Sequence, residues 1–312
     1  MVSFKLSTAI AVGALFAQSA VAAPSPTVGA NGVYVKRAAS CTFPTPPKTS
    51  VLSTPMVIKG TFDGGNVRYN HGAGACYVQK DVENQDPVFR LENGATLKNV
   101  VIGANQVEGI HCIGSCNLEN VWFEDVCEAA ITLRQSSGTS NITGGGAKSA
   151  GDVVVLHNGA GTVNIDSYCV QDFGKLYRSC ANCKTQYKRA VNISNIIATN
   201  GKLLAGVNSN YGDVATLENN QVSGVSSMCD TFQGNNNGNE SIKLTSNTPN
   251  AKYVQLLHVS LSLLTFNCVA VNSKHCSSSV VSIAMLSWAH ESTRLTLRSF
   301  LRLACFHCLV PI

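Results

Sequence analysis

Charged side chains are scarce in this chain, 13% of 312 residues. Long apolar runs are missing too. The N-terminal run Leu6 to Phe16 is well short of the ~20 residues a membrane span requires, and Val254 to Val271 is interrupted by Gln255, His258, Ser260, Ser262, Thr265 and Asn267. A spanning helix is therefore not supported. No Asn-Thr-Asp, Asp-Asp or Gly-His-Gly phrase occurs, which removes the paired carboxylates that a glycoside hydrolase needs to deliver acid and activate water. Cys180-Ala181-Asn182-Cys183 and Cys112-Ile113-Gly114-Ser115-Cys116 have redox or metal-like spacing but no second Cys/His pair, so zinc-thiolate chemistry is not supported either.

A basic working domain is also lacking. The net charge is +5, yet residues 1–37 contribute +3 (Lys5, Lys36, Arg37) and residues 251–312 contribute +4 (Lys252, Lys274, Arg294, Arg298 and Arg302 against Glu291). Subtracting both leaves −2 for residues 38–250. Nucleic acid is not the expected partner.

What is present is a repeat. A short x-apolar-x-Asn-apolar phrase followed by a Gly/Asn-rich turn recurs, as in Thr96-Leu97-Lys98-Asn99-Val100 and Asn117-Leu118-Glu119-Asn120-Val121. Comparable anchors at Ile142, Val163, Ile193 and Leu217 give successive intervals of 21, 24, 21, 30 and 24 residues from Leu97 and Leu118 onward. Such a period signals a stacked solenoid. The units have strand composition and are too short for strand-helix-strand crossovers, so each coil should pair in parallel with the next. The expected fold is all-β, a single-domain right-handed parallel β-helix over residues 38–250, able to bury a large core with 45% hydrophobic residues and 26 glycines.

The flanks read differently. One positive charge, an apolar run and Ala20-Val21-Ala22 make residues 1–22 a signal peptide. Lys36-Arg37 closes a candidate pro-peptide, 23–37. From about Leu256 the period vanishes and only one acid, Glu291, appears. The tail 251–312 reads as translated sequence foreign to the domain, such as a retained intron, the alternative being an irregular cap packed on the end of the solenoid. Nine cysteines lie in the repeat-bearing region; in an exported chain they are expected to form disulfides, and their odd number implies one partner outside that region. Sequons at Asn141, Asn192 and Asn239 are compatible with surface glycosylation.

Several phrases resemble the fungal pectate lyases of polysaccharide lyase family 3. They are Gly60-Thr61-Phe62-Asp63-Gly64-Gly65, the run Leu91 to Ala104, Val107-Glu108-Gly109-Ile110-His111-Cys112, the run Asn120 to Glu128, Gly144-Gly145-Gly146-Ala147 and the run Phe173 to Cys180. The likeness extends from about Thr54 to about Asn250. It implies a parallel β-helix that cleaves α-1,4-polygalacturonate by β-elimination, acting as an extracellular monomer with calcium. Calcium needs hard oxygen ligands, and Glu108, Glu124, Asp125 and Glu128 form an acid cluster on neighbouring coils. Cations follow at Arg134, Lys148, Lys175, Arg178, Lys188 and Arg189. The resemblance places the family's functional arginine at Arg178, which would grip a substrate carboxylate with its guanidinium fork. Lys175, Lys148 and Arg134 are the other candidates for catalysis, with Lys175 and Arg134 also for substrate binding.

Two phrases depart from the family. Cys127-Glu128-Ala129-Ala130 stands where members usually have Cys-Glu-Asp-Ala, and Gly151-Asp152-Val153-Val154 stands where they have Asp-Asp-Lys-Val. The missing lysine is the group usually assigned as the base, and Val153 cannot take a proton. Such a loss would cost about 10²–10⁴-fold in rate. A catalytically impaired pectate-binding β-helix is therefore the alternative expectation.

Overall fold

In a computed structural model, residues 38–77, 87–247 and the strand Thr265–Val269 are described. The expected signal peptide and pro-peptide lie outside these residues, as does the rest of 251–312.

Seventeen strands form one continuous sheet wound into a three-sided parallel β-helix. The first side carries the starts of β3 (Thr61–Asn70), β5 (Thr96–Ile102), β7 (Asn117–Phe123) and β9 (Thr139–His157), then β10 (Gly161–Asp166), β12 (Arg189–Ser194) and β14 (Val214–Glu218). The second side begins with β1 (Thr49–Val51) and takes the ends of β3, β5 and β7, the middle of β9, and the first halves of β11 (Cys169–Ser179), β13 (Ile197–Asn208) and β15 (Gln221–Gln233). The third side runs through β2 (Met56–Ile58), β4 (Phe89–Leu91), β6 (Glu108–Cys112) and β8 (Ala129–Leu133) into the last parts of β9, β11, β13 and β15.

Parallel stacking stops at the last coil. There β16 (Ile242–Asn247) and β17 (Thr265–Val269) pair antiparallel with β15 and β14. Among the described residues no helix is long and apolar enough to cross a membrane.

The repeat phrase explains the winding. Leu97, Leu118, Ile142, Ile165, Ile193 and Leu217 stack in register inside the first side, and each is at most 2% exposed. Burying one such side chain contributes roughly 1.5–3 kcal/mol, repeated at every coil. The asparagine two residues on turns the corner in the left-handed region, with φ of 51° at Asn99, 56° at Asn120, 54° at Asn195 and 52° at Asn219, a conformation asparagine tolerates better than most side chains. These corner amides bond coil to coil, Asn120 Nδ2 donating to Asn99 Oδ1 at 2.9 Å and Asn219 Nδ2 to Asn195 Oδ1 at 2.8 Å. In the coil of Ile142 that corner is Gly144, with φ of 64°; at the next residue, Gly145, φ is +83° and a Cβ would sit 2.1 Å from the Val121 carbonyl oxygen.

The expected anchor at Val163 is displaced by two residues: Ile165, not Val163, aligns with Ile142 and Ile193. Side chains two apart on a strand share a face, so Val163 and Ile165 are both buried. Ser167, with φ of 56°, holds the corner where asparagine would have marked the register.

Disulfides join Cys41 to Cys169, Cys76 to Cys127, Cys112 to Cys116 and Cys180 to Cys183. Both metal-like spacings are thus closed as disulfides, and Cys229 is disulfide-bonded as well. Through Cys41 the N-terminal segment is clamped onto the second side, where the Phe43 ring tilts against Trp122 with centroids 4.7 Å apart.

Candidate active site

On the third side the register assembles two files of residues across successive coils. One is Glu108, Ala129, Val153 and Lys175; the other, three positions further on, is His111, Thr132, Leu156 and Arg178. Adjacent coils lie about 4.8 Å apart, so each file spans roughly 14 Å from the acidic to the basic end.

At the acidic end the Glu108 carboxylate meets the His111 ring and accepts a hydrogen bond from the Thr132 hydroxyl at 2.9 Å. Burial works to raise its pKa. The hydrogen bond and charge of His111, the Thr132 hydroxyl and the charge of Arg134 outweigh burial and hold the carboxyl below its ordinary range. Asp125 and Glu128 stand on the turn from β7 to β8. That turn is pinned by the Cys76–Cys127 disulfide, by the Glu128 amide donating to the Val107 carbonyl at 3.1 Å, and by the Gln106 amide donating to the Asp125 carbonyl at 3.0 Å. Asp125 is exposed and Glu128 half-buried. Glu124 faces elsewhere, forming a forked pair with Arg68 through two contacts of 2.7 Å.

These carboxylates are hard oxygen donors of the type calcium takes, and the buried Gln106 Oε1 beside their turn makes no hydrogen bond among the described residues. Yet among the described residues no three His, Cys, Asp or Glu side chains converge closely enough to hold a metal ion by themselves. The donor set suits a cation whose coordination is completed by a ligand's own carboxylate. It does not form a closed cage.

At the basic end the Lys175 ammonium pairs with Asp152, which sequence reasoning did not single out. The signal was available: Asp152 adjoins Val153, and the coil interval places Val153 beside Lys175. Arg178 is only 6% exposed. It donates to Asn208 Oδ1 at 2.9 Å and to Ser241 Oγ at 2.8 Å, and its guanidinium lies 3.9 Å over the Phe232 ring. Desolvation lowers its pKa to about 10, so it stays charged at neutral pH. Among the described residues it forms no ion pair with a carboxylate.

The remaining candidates divide. Arg134 follows β8 directly, its amide donating to the Cys112 carbonyl at 2.8 Å and its charge acting on Glu108. Lys148 lies on the second side in register with Gln171, its ammonium 4.6 Å over the Phe43 ring, away from both files. Arg189 is buried and donates to the Gly159 and Asn158 carbonyls at 2.8 and 2.9 Å, a structural use of its charge. Between the acidic and basic ends lie Ala129 and Val153, adjacent in register and each 4% exposed.

Comparison with known proteins agrees with this architecture. The sequence profile of the family described as Pectate lyase matches residues 40–239. The chain is 47% identical to pectate lyase E of Emericella nidulans, over 70% of this chain and 85% of the relative. It is 50% identical to the probable pectate lyase E of Aspergillus clavatus, over 74% and 91%. Among solved structures, the catalytic domain of pectate lyase PelI from Erwinia chrysanthemi superposes with a TM-score of 0.53 at 31% identity, covering 65% of this chain and 91% of that one. The same enzyme in complex with tetragalacturonic acid gives a TM-score of 0.51 at 30% identity over 66% of each chain. With its profile match, its parallel β-helix and its register-aligned acidic and basic ends, this chain belongs to the pectate lyase family of polysaccharide lyases.

Proposed function

We propose that the chain is an extracellular, monomeric, calcium-dependent lyase that cleaves (1,4)-α-D-galacturonan by β-elimination, and that it does so slowly. The observation that carries this reading is Arg178: a buried, charged guanidinium that forms no ion pair with a carboxylate among the described residues, three positions on from Lys175, the end of the file that begins with Glu108. Asp213 and Asp152 act on it only through their charge, so a uronate carboxylate would be its direct partner, for which the guanidinium fork is suited.

Glu108, Asp125 and Glu128 would hold calcium, which would supply the Lewis-acid pull that makes the C5–H bond of the bound uronate more acidic. The chain's own residues do the rest. Arg178 and Lys175 fix the polymer along the third side, with Arg134 supporting Glu108. The C5 proton passes to a base, a C4=C5 double bond forms and the C4 oxygen departs with the bonding pair. Lys175 is the amine beside the expected base position, and it must part from Asp152 and release a proton to solvent before its free amine can take one from C5.

A second reading rests on a specific observation. Ala129 and Val153 fill the middle of the file with apolar atoms, so a protein that binds pectate without turning it over is the alternative. The deciding experiment incubates purified protein with polygalacturonate. Calcium-dependent appearance of ultraviolet-absorbing 4,5-unsaturated ends, abolished by chelator, supports the lyase. Saturated ends, or indifference to chelator, would remove it. Calcium-dependent binding without product would leave the binding protein. Calorimetric titration of calcium, tighter with oligogalacturonate than without, separately tests the shared donor set.

A further inference from the structure

Three Asn-x-Ser/Thr phrases stand in three different surroundings. Asn141 and Asn192 belong to a ladder of stacked amides on the first side: Asn141 Nδ2 donates to Asn117 Oδ1, Asn164 Nδ2 to Asn141 Oδ1 and Asn192 Nδ2 to Asn164 Oδ1, each at 2.9 Å. The hydroxyls of the second and third phrases are both engaged, Ser194 Oγ donating to Asp166 Oδ1 at 2.6 Å and Ser241 Oγ accepting from Arg178 at 2.8 Å. The side-chain amide is therefore what distinguishes the sites, Asn192 being exposed but within the ladder. Asn239 lies in the exposed loop between β15 and β16. Only its backbone is used there, its amide donating to Asn237 Oδ1 at 3.1 Å and its carbonyl accepting from Asn235 Nδ2 at 2.8 Å. Among the described residues its side-chain amide makes no hydrogen bond.

We infer that Asn239 is the N-glycosylation site of the folded, exported protein and that Asn141 and Asn192 are bare in it. In the transfer, an oligosaccharide carried on a lipid pyrophosphate moves to Nδ2: the N–C1 bond forms, the C1–O bond to pyrophosphate breaks, the lipid pyrophosphate leaves with that electron pair and Nδ2 loses one proton. A ladder amide that accepts a sugar keeps the hydrogen anti to its carbonyl and sends the pyranose ring outward across a row of amides about 4.8 Å apart, crowding its neighbours on both sides. A chain modified at Asn141 or Asn192 before folding must close its ladder against that crowding and is held back. At Asn239 a bulky, solvated glycan displaces only water.

This inference rests on the export part of the proposed function and not on its chemistry, so the test uses a foreign secretion leader. The full chain behind that leader is produced in a glycosylating yeast, and glycopeptides are mapped after enzymatic release in heavy-oxygen water. Label at Asn239 with none at Asn141 or Asn192 is expected in the secreted protein. Asn239→Gln should remove one glycan and leave the melting temperature unchanged, and Ser241→Thr should keep it. Asn141→Gln should leave the glycan mass unchanged and lower the melting temperature. A bare Asn239, or secreted protein that melts cooperatively with label at Asn141 or Asn192, would overturn the assignment. Label on the ladder sites confined to protein retained inside the cell agrees with it.

Discussion

The acidic and basic ends of the third side solve opposite problems. Asp125 and Glu128 sit on an outward turn in contact with water, whereas Arg178 is withdrawn from water and supported by neutral groups, an amide, a hydroxyl and an aromatic face. A carboxylate that must share a cation with a ligand gains from staying open. A guanidinium that must recognise an anion gains from losing its hydration before the anion arrives. What joins the ends is the uncharged pair Ala129 and Val153, and most of what distinguishes this chain should reside there.

The largest effect should come from rebuilding that centre. Val153→Lys together with Ala129→Asp should raise kcat on the order of 10²-fold or more with little change in KM, as a proton-transfer group acts in the transition state. Val153→Lys alone should gain less, because its ammonium would enter a site 4% exposed beside an alanine. Gly151→Asp can be added freely, since a Cβ there meets nothing within 4 Å. Brisk turnover by the unmodified protein, abolished in Lys175→Ala, would show instead that the basic end already supplies the base.

Acid should strike the two ends in different pH ranges. His157 lies beneath the basic end, in register with Ser179 and hydrogen-bonded to Tyr177 at 2.9 Å. Burial lowers its pKa to about 4. In the unfolded chain the imidazole gains its proton near 6.5, so stability is full above that value and falls as the pH drops toward 4, by about 3 kcal/mol at ~1.4 kcal/mol per unit. Glu108, whose carboxyl is held below its ordinary range, keeps its contribution above that range and loses it as the pH falls from there through its lowered pKa. Denaturant melts between pH 7 and 4 should show the loss, and His157→Asn should flatten it. A flat profile in the parent chain would contradict the buried, neutral imidazole.

Arg178→Ala should raise KM about tenfold or more and cost ~1.5–3 kcal/mol of stability through lost charged hydrogen bonds, and Arg178→Lys should not restore KM. If only the melting temperature changes, the guanidinium is a brace and the basic end reduces to Lys175. The smallest effect is expected at the acidic end, where Glu128→Ala should weaken calcium affinity several-fold in the presence of oligogalacturonate while Glu218→Ala leaves it unchanged, each measured by calorimetry. Equal responses would misplace the cluster.

The coil was legible because one short phrase does two jobs: Leu97 or Leu118 fills the interior, and the following asparagine makes the corner. Where serine replaced that asparagine, at Ser167, the reading slipped by two at Val163, whereas Ile142 was read in register although Gly144 makes its corner. Sequence intervals also put Glu108 and the Asp125–Glu128 turn on successive coils, but the file that runs on through Ala129 and Val153 to Lys175 was visible only once the strands were paired. The environment of each charge was hidden. Arg178 owes its seclusion to Asn208 and Ser241, 30 and 63 positions away, and the antiparallel β16 that leads on from Ser241 follows no repeat. Glu124 was drawn into the acidic cluster by sequence adjacency, though Arg68, 56 positions earlier, holds it.

The Cys41–Cys169 bond changes how the molecule would respond to force. A parallel solenoid pulled from its ends should peel one coil at a time, because each coil holds only to its neighbours. The bond instead short-circuits a loop of sequence separation 128, so tension entering near Cys41 passes directly to Cys169 and leaves the intervening coils unloaded. That loop stores ~440 Å of contour at about 3.4 Å per residue, which an optical trap should recover only after reductant is added. Oxidised, the protein is mechanically a much shorter chain than its sequence suggests.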